Sequence, residues 1–162
     1  MHRRGFIVAV LATVALAACA PEPTVTSDIT PGANFAAYRT FVLVNPTPPA
    51  GMDPVAYERI RQGVVSALLA KGYTPADQGD LSVILTLGTR DRTNINTWGA
   101  FGRRVDVYQY TEGKLAVDVF DTKTRQPLWH GQATETIDPN KPDPASVNAA
   151  VASVMASFPA RG

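Results

Sequence analysis

Ile60, Val64 and Leu68 recur at four-residue spacing, with Tyr57 and Ala67 alongside, between a proline-led start and a lysine-glycine end. That spacing gives a helix with a single apolar stripe, which must be covered by another element. Asp53 can accept from the first-turn amides, and Pro54 fits the first turn, where its missing N–H costs nothing. Lys71 suits the negative end of the helix dipole, Gly72 can take a left-handed cap, and Tyr73 can fold back over the last turn. Arg59, Arg61, Gln62 and Ser66 lie mainly away from the stripe.

The cover is supplied by strands. Leu81, Val83, Leu85 and Leu87 alternate with Ser82, Ile84, Thr86 and Gly88, a period of two with one strongly apolar face. Tyr38 to Val44 reads as an earlier strand through its β-branched and aromatic content, and the helix between the two allows a parallel crossover. Val105 to Tyr110 and Leu115 to Phe120 read as a hairpin with Glu112-Gly113 at its tip, Tyr110 opposing Leu115 and Tyr108 opposing Val117. Asp121 to Gln126 is a turn and Leu128 to Ile137 a further strand. After a loop from Asp138 to Pro142, Asp143 caps a last helix begun by Pro144 and ended by Pro159, with Val147, Val151, Val154, Met155 and Phe158 on its stripe. The order implies an α+β fold: a two-layer sandwich of a mostly antiparallel sheet of about four to five strands, with two helices on one face.

The start of the chain reads differently. His2, Arg3 and Arg4 precede the apolar run Gly5 to Ala15, and Leu16-Ala17-Ala18-Cys19 resembles the lipobox of bacterial lipoproteins. Gly5 to Ala18 covers 14 residues, against about 20 needed to cross a bilayer core. Residues 1–18 are therefore expected to be a lipoprotein signal peptide and Cys19 the acylated residue. Two or three acyl chains hold almost permanently, where one binds only marginally. Ala20 lacks the aspartate that in such lipoproteins favours inner-membrane retention, which implies a periplasm-facing outer-membrane site. Pro21, Pro23, Pro31 and Gly32 make residues 19–34 read as a flexible tether, extending roughly 45 Å as polyproline or nearer 20 Å as a coil. Residues 35–162 form the single expected domain.

Composition narrows the chemistry. The 15 lysines and arginines fall to 13 without Arg3 and Arg4, against 14 acids, a balance that gives nucleic acid no electrostatic hold. Cys19 is the one cysteine, so an internal disulfide is excluded, and after acylation so are thiol catalysis and a cysteine metal site. Beyond the leader His130 is the sole histidine, so no multi-histidine metal centre forms, and no nucleophile elbow accompanies it. Asp106, Asp118 and Asp121 are the acids available for a catalytic carboxylate pair, although such acids more often lie on a solvated face or a turn. Gly99-Ala100-Phe101-Gly102 is too short for a phosphate loop and lacks its lysine. No catalytic residue, metal or cofactor is expected.

The stretch from Thr89 to Arg104 breaks the strand pattern and is a functional or mobile loop or part of a longer hairpin. In it Arg90, Arg92, Arg103 and Arg104 bracket Trp98 and Phe101. Arginine forks suit phosphate or carboxylate, and the rings can stack on sugar or fill a partner's pocket. These six residues are the candidate contacts for an envelope protein, glycan or lipid.

Asn34-Phe35 with Tyr38-Arg39-Thr40-Phe41, Lys71-Gly72-Tyr73 before Asp80-Leu81, Tyr110-Thr111-Glu112-Gly113 before Leu115, Asp121 before Leu128-Trp129-His130-Gly131, and the closing Phe158-Pro159 resemble a bacterial lipoprotein family known as domain of unknown function 4136. Leu43 stands where that family often has tryptophan, and Asn34 where it often has aspartate. The resemblance implies an envelope lipoprotein of this fold and supplies no catalytic group. The expected role is a noncatalytic, membrane-anchored assembly partner or scaffold. A glycan- or lipid-binding module is second, and a hydrolase built on His130 is third.

Overall fold

The computed structural model describes residues 22–44, 47–48, 52–98, 104–137 and 143–162. The expected leader, Cys19, Phe101, Arg103 and the loop from Asp138 to Pro142 lie outside them. The elements run β1 (Thr24–Ile29), a 3-10 turn (Phe35–Ala37), β2 (Thr40–Leu43), α1 (Pro54–Ala70), β3 (Thr74–Pro75), β4 (Leu81–Trp98), β5 (Arg104–Asp121), β6 (Pro127–Ile137) and α2 (Pro144–Ala156). Among the described residues the fold is mixed α/β, with two helices and an open sheet ordered β1-β6-β5-β4-β2-β3. Six strands replace the four to five expected; the additions are the edges β1 and β3.

Both helices start as their residues dictate. Asp53 Oδ1 accepts from the Val55 amide at 2.9 Å, and Asp143 Oδ1 from that of Ala145 at 3.1 Å. At the end of α1 Gly72 takes φ +92°, the Tyr73 amide donates to the Leu68 carbonyl and the Gly72 amide to that of Leu69, which is a Schellman closure. Lys71 turns its ammonium to the Ala156 and Phe158 carbonyls, tying the ends of the two helices together.

The parallel crossover is present: β2 pairs in parallel with β4, Phe41 facing Leu81 and Leu43 facing Val83. Leu81, Val83 and Leu85 of β4, Leu115, Val117 and Val119 of β5, and Trp129 and Ala133 of β6 form one core with Ile60, Val64 and Leu68 of α1 and Val151, Val154 and Met155 of α2. Phe158 is its aromatic centre, with ring centroids 5.5 Å from Phe35, 5.6 Å from Tyr73 and 5.1 Å from Trp129.

Two expectations are corrected. Thr24–Ile29, placed in the tether, is an edge strand antiparallel to β6, with Thr24 facing Thr134 and Ile29 facing Trp129. Backbone pairing holds it, since Val25 alone of the six is even partly buried, and apolar periodicity cannot reveal such a strand. The hairpin tip at Glu112-Gly113 does not exist either. Arg104–Asp121 is one unbroken strand, so Tyr110 faces Arg92, and Leu115 faces Leu87 and Ala133. Gly113 is there for close approach, because a Cβ on it would lie 3.0 Å from two carbons of Ile137. The stretch after Thr89 is regular strand, and β4 and β5 form a ribbon to the pair Trp98–Arg104.

A Cβ at Gly131 would run into the Trp129 ring and lie 2.8 Å from Val154 Cγ2. Gly131→Ala is therefore expected to cost about 1–3 kcal/mol by overpacking, and Phe158→Ala about 3–5 kcal/mol by cavity formation. Urea denaturation of the two variants measures both.

Candidate functional site

Side chains alternate across a strand. Odd positions of β4 and β5 face the core, so Arg90 and Arg92 stand on the opposite face, with Tyr110 and Glu112 across from them. Glu112 Oε2 takes both arginines, Arg90 Nη2 at 3.2 Å and Arg92 Nε at 3.1 Å. Those bonds, Arg90's foremost, hold the Glu112 carboxyl below its ordinary range. Gln132, Thr134 and Thr136 of β6 continue the face, which ends at Thr24 of β1 and Glu22 just before it. Together they line a shallow, open cleft of about 380 Å³.

Of the six expected contact residues, the structure brings Arg90 and Arg92 together in this cleft. Trp98 and Arg104 are register partners at the distal end of the ribbon, six strand positions beyond Arg92. Phe101 and Arg103 lie outside the described residues. Both cleft arginines are already matched by Glu112, with Glu22 and Glu135 nearby, so the cleft is not the cationic anion trap that arginines alone suggest. Tyr110, Glu112, Gln132, Thr134 and Thr136 complete the cleft and are not among those six. Their signal was the polar alternation at 132, 134 and 136, which becomes a surface only when β5 is read as one strand.

The other chemical candidates separate. Asp106 and Asp118 lie on one strand twelve residues apart, roughly 40 Å, and so cannot make a carboxylate pair. His130 Nδ1 lies 2.6 Å from Asp118 Oδ1, and Asp28 is its register partner on β1. Gln132, two residues on along the regular part of the strand, shares its face and is no nucleophile, while Leu128, at the register shift, is buried in the core. Among the described residues no group of three metal-ligating side chains occurs, and no helix is long and apolar enough to cross a membrane.

The acids of the motif residues act on the backbone. Asp80 Oδ2 accepts the Arg39 and Thr40 amides at 2.9 and 3.1 Å, while the Asp80 amide donates to Thr40 Oγ1 at 2.9 Å. Asp121 Oδ1 accepts the Lys123 and Thr124 amides, both at 2.8 Å, and Oδ2 accepts the Tyr38 hydroxyl at 3.0 Å. These bonds lower both carboxyl pKa values, the Arg39 amide contributing most at Asp80 and the Thr124 amide at Asp121.

A mixed α/β domain whose motif residues close its own turns is thus the class that fold and site define. Residues 25–160 match the family described as domain of unknown function (DUF4136), and the chain belongs to that family. The match begins inside β1, in keeping with that strand's place in the sheet. Among solved structures the chain is similar to a DUF4136 family protein from Bacteroides thetaiotaomicron, at 16% identity and TM-score 0.60 over 86% of this chain and 97% of that one. It is similar to the PelC dodecamer from Paraburkholderia phytofirmans, at 13% identity and TM-score 0.53 over 86% and 99%. A PDZ domain protein from Parabacteroides distasonis matches at 13% identity and TM-score 0.59 over 85% of this chain, which spans 36% of that longer one. At these identities the likenesses establish the fold. No curated protein matches the chain.

Because both pKa values are lowered, Asp80 and Asp121 contribute stability fully above the unfolded carboxylate value, about 3.9, and lose it as pH falls through their folded values. Asp80→Asn is expected to be less stable than the parent at pH 7, with the gap closing on acidification below about pH 4. Denaturation midpoints measured from neutral pH downwards test this.

Proposed function

We propose that this protein is a noncatalytic, lipid-anchored component of the bacterial envelope, acting as an assembly partner or scaffold. The observation that carries the reading is the β4–β5 ribbon. Beyond Thr111, which faces Ile137 at the end of β6, β5 has no further neighbour on that side among the described residues. The pairing of β4 with β2 ends at Val83. Unpaired strand edges are templates for pairing with another chain, and an isolated two-stranded ribbon is marginal alone. Val107 and Tyr108, on opposite faces of the ribbon, are 57% and 56% exposed. The dodecamer named for PelC is consistent with a fold that tolerates assembly. In this reading both helices cover one face of the sheet as a second layer, leaving the other face and the ribbon for contact.

The leader supports acylation at Cys19 and a periplasm-facing outer-membrane site. Glycan binding is the second reading, favoured by Tyr110 and the hydroxyl and amide groups of the cleft.

Two measurements test the main reading. Cys19→Ser is expected to move the protein from the membrane to the soluble fraction and abolish acyl incorporation; membrane retention without an acyl chain would count against it. Photocrosslinkers at Thr93 and Asn94 in intact cells are expected to give an adduct with one defined envelope protein. Successive amides of a strand point to opposite edges, so proline at one of the two positions removes an outward donor and should abolish that adduct without unfolding the domain. Recovery of monomer carrying only lipid or sugar would sink the assembly role.

A further inference from the structure

Sheet register fixes where the anchor emerges relative to the ribbon. Thr24 faces Thr134, which faces Lys114, which faces Gly88, so these four form one row across the sheet. Followed backwards, β1 advances along β6 toward Ile137, the direction in which the ribbon projects. Glu22 accordingly lies in the cleft with Arg90, Arg92 and Glu112, at the ribbon's base.

Cys19 is three residues before Glu22, a reach of at most about 11 Å. From Arg90 to Trp98 the ribbon runs eight residues further, roughly 27 Å. It therefore projects well past the point to which the chain is attached. The opposite end of the sheet, from Arg90 back to Leu81, is of similar length and closes in the polar turn holding Lys123, Thr124 and Arg125. An acylated Cys19 cannot let the sheet stand on either end without submerging part of it.

On this basis we infer that the β4–β5 ribbon lies in the phospholipid headgroup layer, as a second, peripheral contact beside the lipid anchor. This rests on the anchoring reading above. Its chemistry suits the place: Val107 and Tyr108 are exposed near mid-ribbon, and an aromatic residue and a cationic one, Trp98 and Arg104, occupy the distal pair. Aromatic side chains concentrate at the membrane–water interface, where water still satisfies strand edges that hydrocarbon would not. At the other end the turn holding Lys123 is polar, the exposed apolar side chains nearest it, Ile29 and Val44, standing apart on β1 and just after β2, and that end tilts away.

The test uses the full chain, acylated in a bacterial host and reconstituted in vesicles of phosphatidylethanolamine and phosphatidylglycerol. Val107→Cys and Lys123→Cys, both at exposed positions, are labelled separately with a fluorophore; the acylated Cys19 sulfur does not react. A headgroup-spin-labelled lipid is expected to quench the probe at position 107 several-fold more than that at 123. Protein that floats with the vesicles but shows equal quenching, or more at 123, overturns the ribbon contact and leaves the anchor standing. Acylated protein that fails to float overturns both.

Discussion

Phe158 holds the fold at the point where its most distant parts meet. Its ring packs edge-on against Phe35 after β1 and Trp129 on β6, and at a tilt against Tyr73 beyond α1. All four rings are buried, so the contact combines large apolar area with favourable ring geometry. Lys71 reinforces it by donating to the Phe158 carbonyl. Without this cluster the two helix ends, the 3-10 turn and the outer strands would lose their common contact.

The separated motif pieces that resemble DUF4136 become intelligible around that cluster. Phe35, Tyr73, Trp129 and Phe158 are the rings themselves. Tyr38, Arg39 and Thr40 meet Asp80 and Asp121 through hydroxyl and backbone bonds. Carboxylates with shifted pKa values often signal catalysis, but at Asp80 and Asp121 backbone amides explain the lowering. Most residues marking the family frame the domain, while Tyr110 and Glu112 reach from that set into the cleft, where Glu112 pairs Arg90 and Arg92.

The helices were legible because the Asp-Pro starts, the stripe at 60, 64 and 68 and the Lys-Gly end all agree, and local agreement of that kind is seldom overridden. The strand at 81–87 was legible from strict alternation. Gly113 was not: beside Glu112 it has the composition of a turn, and its role depends on Ile137, 24 residues further on. Nor was β1, whose polar residues pair through the backbone alone. The candidate site was half legible. Arg90 and Arg92 stand out as a pair, but Glu112 beside Gly113 has the composition of a hairpin tip, and only the unbroken β5 brings it across from them as their partner.

The pairing of β1 with β6 also sets an order of events. Synthesised N-terminus first, the chain must hold Thr24–Ile29 without a partner until residues 129–134 have followed. Contacts of such long sequence separation form late, because loop closure precedes their reward. Being an edge strand with little buried surface, β1 also belongs to the part of the domain that opens at least cost. The strand nearest Cys19 is thus among the last to lock and the first to release. Its release would bare the backbone edge of β6 beside Gln132 and Thr134 of the cleft.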